Sequence, residues 1–229
     1  MFKNFKVIAH MKTPVATIDN IILDSIISAA KAKEILQDEF HNGKNICGTA
    51  EQIQSMLDPI LNKKYGVYCT SCGIGDNKEF VTSWAKRWDD KHDDMVTGLK
   101  GKARVDVGAG HFKNYHMPLV VKSYKTITFY VNGDMEEIKR LLETYIYFLG
   151  KKSTQGFGQI KKWEFEEIEE DYSIFKDKEI MRPIPIKEIG NRELKFVEFK
   201  TSVLRECALT PPYWREDCRE LCVIPDVNV

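Results

Sequence analysis

The stretch that organises this chain is a glycine-rich loop, Gly150-Lys151-Lys152-Ser153-Thr154-Gln155-Gly156-Phe157-Gly158. It follows an amphipathic helix predicted from Asp134 to Leu149 and precedes an alternating strand predicted from Ile160 to Ile168. Glycines allow positive φ and leave backbone N–H groups accessible to an extended anion. The two lysines add positive charge, the Ser-Thr-Gln run adds neutral donors, and the phenylalanine offers a ring for base stacking. The loop therefore predicts a cradle for a phosphate backbone.

Two observations limit this interpretation of the loop. The order helix–loop–strand is the reverse of a P-loop and no GK[ST] closes it, so triphosphate binding is not predicted. Gly150 also fits a plain helix terminator, while Gly156 and Gly158 also fit a tight turn into the next strand. A purely structural role for the glycines therefore stays open.

The composition places limits on the possible partners. The 229 residues suffice for one large domain or two small ones, with a proper core. Lys plus Arg and Asp plus Glu both number 34, so the basic field of a free-standing nucleic-acid binder is absent. Any nucleic-acid contact is therefore predicted to use a local patch within a larger assembly. We predict neither a signal peptide nor a membrane span, and hence a cytoplasmic protein without membrane contact.

Six cysteines without a secretory signal predict reduced thiols. Cys69 with Cys72, and Cys218 with Cys222, each have the spacing of half a zinc site. The two pairs lie much farther apart in sequence than the halves of a compact zinc finger. We therefore predict no metal and no other cofactor.

The predicted elements are a strand over 2–10, a helix reaching about residue 40, a strand over 65–72, a hairpin of 119–122 with 126–131, a helix and a last strand. In the first strand Phe5, Val7 and Ala9 share one face. This order predicts an α+β, ferredoxin-like (RRM/RAMP) core of a four-stranded antiparallel sheet and two helices. The core is predicted over 1–168, with a large insert between strands 2 and 3 at about 73–117. Residues 169–229 are predicted to be a C-terminal extension that packs on the core or on a neighbouring subunit.

The insert interleaves basic residues with tryptophans, which is typical of single-stranded nucleic-acid sites. Its candidate RNA-binding residues are Arg87, Trp88, Lys100, Lys102, Arg104, His111 and Lys113. In the alternative interpretation, Trp84 and Trp88, four residues apart, form the buried face of a short helix.

The insert also carries the chemistry of a metal-free ribonuclease. His111, Lys113 and Tyr115 could supply a base, an acid and a charge stabiliser. In an extended segment these three would share one face, and His116 would point to the other. We predict a protein that is not an enzyme and keep RNA cleavage by these residues as the alternative.

Segments spread over most of the chain resemble the RAMP superfamily of CRISPR-associated RNA-binding proteins, and most closely its type IV Csf subunit with the Cas-five-like role. The resembling segments are Ile18–Ala30, Phe112–Tyr115, Asn132–Asp134, Leu149–Gly158, Ile160–Trp163, Arg182–Pro185 and Pro211–Trp214. The resemblance implies a non-catalytic subunit of a crRNA-guided complex that caps one end of the backbone filament and holds the 5′ handle of the guide. It implies RNA contact by the glycine loop, with Lys151 and Lys152 on phosphates, and contacts with the backbone and large subunits.

By its position, the insert resembles the thumb-like part of these proteins, and its basic segment 87–104 is a candidate surface for the target DNA duplex. The Cys69–Cys72 region and the neutral net charge depart from the family pattern. An alternative from a different class is an unrelated ferredoxin-like module that binds a small ligand or only proteins. In that case the glycine loop would simply stop a helix.

Overall fold

The computed structural model describes residues 1–17, 20–41, 55–96, 105–189, 203–211, 213 and 216–225. Its strands are β1 (Lys3–Met11), β2 (Val15–Ala16), β3 (Lys63–Lys64), β4 (Val67–Tyr68), β5 (Asn77–Lys86), β6 (Tyr115–Tyr124), β7 (Thr126–Gly133), β8 (Ile160–Glu167), β9 (Phe175–Lys176), β10 (Glu179–Ile180), β11 (Ile184–Pro185), β12 (Val203–Ala208) and β13 (Arg219–Ile224). Its helices include α1 (Leu23–Leu36), α2 (Met135–Tyr145) and the short α3 (Ile186–Ile189). The named strands pair antiparallel, in agreement with the predicted α+β class.

Strand β1 is the centre of the main sheet, whose order is β7-β1-β8. Phe5, Val7 and Ala9 are fully buried on one face of β1, as their alternation predicted. Helices α1 and α2 contribute to the same core through apolar residues such as Ile27 and Leu141. No helix in the described part of the chain is long and apolar enough to cross a membrane.

Helix α2 begins where the sequence predicted and ends earlier. The Asp134 side chain caps it by accepting a hydrogen bond from the Glu137 N–H at 3.1 Å. The predicted end at Leu149 is wrong, because the helix stops at Tyr145. The Lys33 ammonium of α1 donates to the Tyr145 carbonyl at 2.9 Å and so satisfies one of the helix-end acceptors. Residues 146–149 therefore leave the helix before the glycine loop begins.

An ion-pair network joins the two helices. Glu137 accepts from Lys31 at 2.8 Å and from Arg140 at 2.7 Å, and Arg140 also reaches Glu34 at 2.5 Å. Hydrogen bonding from Arg140, followed by that from Lys31, lowers the pKa of Glu137 to about 2. The network therefore stabilises the fold while Glu137 is ionised.

We expect Glu137→Gln to destabilise the protein at neutral pH and to have little effect in strong acid. A carboxyl group whose pKa is depressed by folding contributes stability above its unfolded pKa, about 4.3, and loses it as the pH falls towards about 2. Because these side chains are partly exposed, the expected loss at pH 6 is about 1 kcal/mol. Urea unfolding of wild type, Glu137→Gln and the exposed-surface control Glu143→Gln at pH 6 and pH 2.5 measures it. An equal difference at both pH values would contradict the assignment.

The predicted second strand, 65–72, is not a regular strand, and the regular four-stranded sheet is not formed. Tyr65 and Gly66 adopt positive φ and turn the chain, so that β4 pairs with β3 in a small hairpin. Only isolated bridges join this region to β7, through Leu61, Thr70 and Ile74. The segment 61–74 thus lies beside β7 as an irregular edge.

Buried Arg182 joins this segment to helix α1. Its guanidinium donates to the Tyr68 carbonyl, to the Thr70 hydroxyl at 3.1 Å and to the Asp24 carboxylate of α1 at 3.1 Å. Arg182 and Asp24 are at most 1% exposed. An arginine from the chain beyond β8 therefore holds residues 68–70 against helix α1.

The predicted hairpin of 119–122 with 126–131 is wrong. Only Lys125 separates β6 from β7, which is too short for a chain reversal, so the backbone passes from one sheet into another. Strand β6 instead pairs over ten residues with β5 and, through its end, with β2. We call the ribbon of β5 and β6, with the described parts of the connecting segment 87–114, the arm. The stretch 77–86, which belongs to the predicted insert, is thus one of the two long strands of the arm.

Candidate nucleic-acid interface

The glycine loop has a backbone that requires glycine at several positions. Gly150, Gly156 and Gly158 have φ values of 79°, 86° and 74°, and Lys152 also adopts the left-handed conformation. Residues Ser153–Gln155 form a single 3-10 turn between them. The loop therefore folds back on itself as a compact unit.

The loop is tied to the turn that follows β1. The Lys151 N–H donates to the Ala16 carbonyl at 2.8 Å, and the Gly158 N–H donates to the Pro14 carbonyl at 2.7 Å. The Thr13 hydroxyl donates to the Gly156 carbonyl at 2.7 Å. The amides of Lys151 and Gly158 are thus engaged within the protein. The groups that the loop presents to solvent are instead the side chains of Lys151, Ser153, Thr154 and Gln155, while Phe157 is half-buried.

The loop and the arm meet at one contact. The Lys152 ammonium lies 2.9 Å from the centroid of the Trp84 ring of β5, which is a cation–π geometry. Tyr115 of β6 packs on the same tryptophan with a centroid distance of 4.7 Å. The structure therefore brings together two segments that the sequence predicted separately as RNA contacts, and it places Lys152 against an aromatic ring.

Trp88 has a structural role at the far end of the arm. Its indole N–H donates to Asp93 at 2.5 Å, its backbone N–H donates to the Asn114 side chain, and its ring packs on Phe112 at 4.8 Å. The short-helix interpretation of Trp84 and Trp88 is wrong, because Trp84 lies in β5. Arg87 is exposed beside this cluster. The candidates Lys100, Lys102 and Arg104 lie outside the described residues.

The candidate nuclease residues do not form the predicted face. The premise of an extended segment fails, since Gly110–Phe112 is a 3-10 turn. His111 is exposed, with its ring against Phe112, and its carbonyl accepts from Lys86 at 2.5 Å. Lys113 is also exposed, whereas Tyr115 packs on Trp84. His111 and Lys113 therefore lie at the turn before β6, whereas Tyr115 lies in β6 itself.

The cysteines that suggested half zinc sites are poor candidates for metal ligands. Cys69 and Cys72 are fully buried, and burial raises their thiol pKa values to about 11 and about 12. A metal-binding cysteine has to be deprotonated, which these environments oppose. Cys218 ends the 3-10 turn just before β13 and Cys222 lies within β13, and among the described residues no group of three potential ligands surrounds a metal position.

The face of the main sheet that points away from the core carries polar side chains paired with glutamates. Lys6 contacts Glu166 at 2.7 Å, and His10 contacts Glu164 at 2.7 Å. RNA-binding sheets of the RRM type instead present aromatic rings on which bases stack. The carboxylates of Glu166 and Glu164 would repel RNA phosphates on this part of the sheet. The glycine loop is therefore the better candidate for RNA contact.

Two exposed aromatic residues next to the loop were not among the candidates. Tyr147 and Phe148 are 59% and 38% exposed and lie in the segment that leaves α2 early. The sequence indicated that these rings are exposed, because neither residue belongs to the apolar face of the helix predicted over 134–149. Exposed rings beside a cationic loop are suited to base stacking.

The family of this chain follows from its similarity to known proteins. No curated protein sequence matches it. The family model of the CRISPR type IV associated protein Csf3 matches residues 83–225, which include the second strand of the arm, the glycine loop and the described part of the C-terminal extension. Because this match covers more than half of the chain, the chain belongs to the Csf3 family of type IV CRISPR-associated proteins.

Proposed function

We propose that this protein is a non-catalytic RNA-binding subunit of a cytoplasmic type IV CRISPR effector complex. In this proposal it holds the 5′ handle of the crRNA at one end of the backbone filament. The membership in the Csf3 family supports a role in such a complex. The strand order β8-β1-β7, with the segment 61–74 bridged to β7, supports a RAMP-type, ferredoxin-like origin of the core.

The observation that carries the RNA-binding proposal is the contact between Lys152 and Trp84. It joins the cationic glycine loop to the arm, so that one surface combines positive charge, polar donors and aromatic rings. Lys151, the preceding residue, remains exposed and is available to a phosphate. This combination is what single-stranded nucleic acid requires of a binding surface.

The proposed protein partners are the backbone and large subunits. Strand β5 is the outer strand of the order β2-β6-β5 in the described part of the chain, and it exposes Phe80 and Val81. An exposed apolar edge strand is suited to cover by another subunit. The segment 87–104, which the structure describes as far as residue 96 and which includes exposed Arg87, is the proposed contact with target DNA.

The test is to co-express the chain with its neighbouring subunits and a guide RNA, for wild type and for Lys151→Ala/Lys152→Ala. We expect the variant to hold the 5′ end about tenfold more weakly, because phosphate contacts dominate such binding. The dependence of log K on log salt concentration should become shallower by about 0.7 for the lost phosphate contact of Lys151 to single-stranded RNA, because Lys152 is held against Trp84.

The matched control is Lys139→Ala/Lys161→Ala, which removes two exposed lysines from α2 and β8. It changes the net charge equally but should leave 5′-end retention and the salt dependence close to wild type. Equal effects of the two double variants would contradict a specific role for the loop. RNA binding that is insensitive to salt, or absent, would favour the protein-interaction module instead.

A further inference from the structure

A groove lies directly beside the glycine loop, between α1 and the segment that follows α2. Its volume is about 470 Å³, which is within the range of small-ligand clefts. Apolar groups of Ile26, Ala29 and Leu149 line it together with the polar groups of Asn20, Lys33 and Ser153. Exposed Tyr147 and Lys151 also contribute, so the groove opens to solvent next to the loop.

The charge of the groove favours an anionic ligand. None of the described residues that line it is acidic, and two are lysines. The Lys33 ammonium is held in place by the Tyr145 carbonyl at 2.9 Å. The backbone of Lys151 is fixed by its hydrogen bond to Ala16, so its side chain starts from a defined position beside the groove.

The groove is continuous with the proposed RNA path. Lys151 lines the groove, while the next residue, Lys152, reaches the arm and covers Trp84. The glycine loop therefore lies between the arm on one side and the groove on the other. A single strand that follows the loop arrives at the groove without leaving the protein surface.

We propose that this groove binds one unstacked nucleotide of single-stranded RNA. The inference deepens the proposed function and rests on it. The base enters between the apolar groups and stacks against Tyr147 or Phe148, and its phosphate is held by Lys151. Asn20 and Ser153 carry both donors and acceptors and can meet the polar edge of a base. An apolar side chain from a protein partner would make no polar contact with Lys151, whereas the phosphate of a nucleotide can pair with it.

The test uses the chain assembled with its neighbouring subunits and synthetic guides, each lacking one base at a different position of the 5′ handle. In wild type we expect one position at which removal of the base weakens binding about tenfold, the size of one base–aromatic stack. Tyr147→Ala should bind the complete guide about tenfold more weakly and lose this position dependence. Because Tyr147 is mostly exposed, the variant is expected to fold normally.

A second variant, Ala29→Phe, fills the groove and should give the same loss of position dependence. If all guides bind wild type equally while Lys151→Ala/Lys152→Ala still releases RNA, the groove proposal is overturned and the proposed function survives. If Ala29→Phe releases a protein subunit but keeps every RNA position unchanged, the groove is a protein contact and the proposal is likewise overturned.

Discussion

Replacing Arg182 with methionine is expected to lower the free energy of unfolding by about 3–5 kcal/mol, because the substitution strands a buried carboxylate. The Asp24 side chain is fully buried, and Arg182 is its ion-pair partner at 3.1 Å. The same guanidinium donates to acceptors of Tyr68 and Thr70, which lose a donor as well. Urea unfolding followed by circular dichroism measures the loss.

The control for Arg182 is the double variant Asp24→Leu/Arg182→Met. Removal of both charges should recover much of the loss, because an apolar pair avoids the desolvation of the ions. Recovery should be incomplete, since the acceptors of Tyr68 and Thr70 stay without their donor. A single variant within about 1 kcal/mol of wild type would show that the pair does not hold the segment 61–74 in place.

The second large effect is expected at Gly158, where alanine should destabilise the protein by about 3 kcal/mol or more. A Cβ at this position would lie 1.8 Å from the Leu149 carbonyl oxygen, and the residue has a φ of +74°. The clash is with backbone, so side-chain rotation cannot relieve it. The hydrogen bond from the Leu149 N–H to the Gly158 carbonyl would also be disturbed. Denaturant unfolding and hydrogen exchange of the Leu149 amide measure both consequences.

Gly156→Ala is the matched control for Gly158. It has a similar φ, +86°, but nothing lies within 4 Å of the position of its Cβ. We expect a loss of about 1 kcal/mol from the left-handed backbone alone, and RNA retention close to wild type. Equal effects at the two positions would show that the close approach to Leu149 does not limit the loop.

Local patterns predicted the parts of the fold that depend on local chemistry. The alternation of Phe5, Val7 and Ala9 predicted the buried face of β1, and the cap at Asp134 predicted the start of α2. The arm was missed because the connecting segment 87–114 separates its two strands in sequence and β5 exposes residues on both faces, so β5 lacks a buried alternation. Arg182 was missed because its partner, Asp24, is distant in sequence.

In the candidate site, too, the local features could be predicted from the sequence and the long-range contacts could not. The glycine loop and the basic insert could be recognised from the sequence, because both are local concentrations of glycine, lysine and aromatic residues. The contact of Lys152 with Trp84 depends on how β2 positions the loop beside β6, which is a long-range property. The groove depends on the early end of α2, which a lysine from α1 favours by binding the helix terminus.

The central position of β1 also has a consequence for biosynthesis. Both of its partners are encoded late, since β7 begins at Thr126 and β8 ends at Glu167. At a synthesis rate of about 5–20 residues per second, roughly 10–30 s pass between synthesis of β1 and synthesis of the end of β8. The apolar face of β1 lacks its complete sheet for that time. During that time Phe5, Val7 and Ala9 are available to chaperones or to other nascent chains. The yield of folded subunit should therefore depend on protection of its first strand during translation.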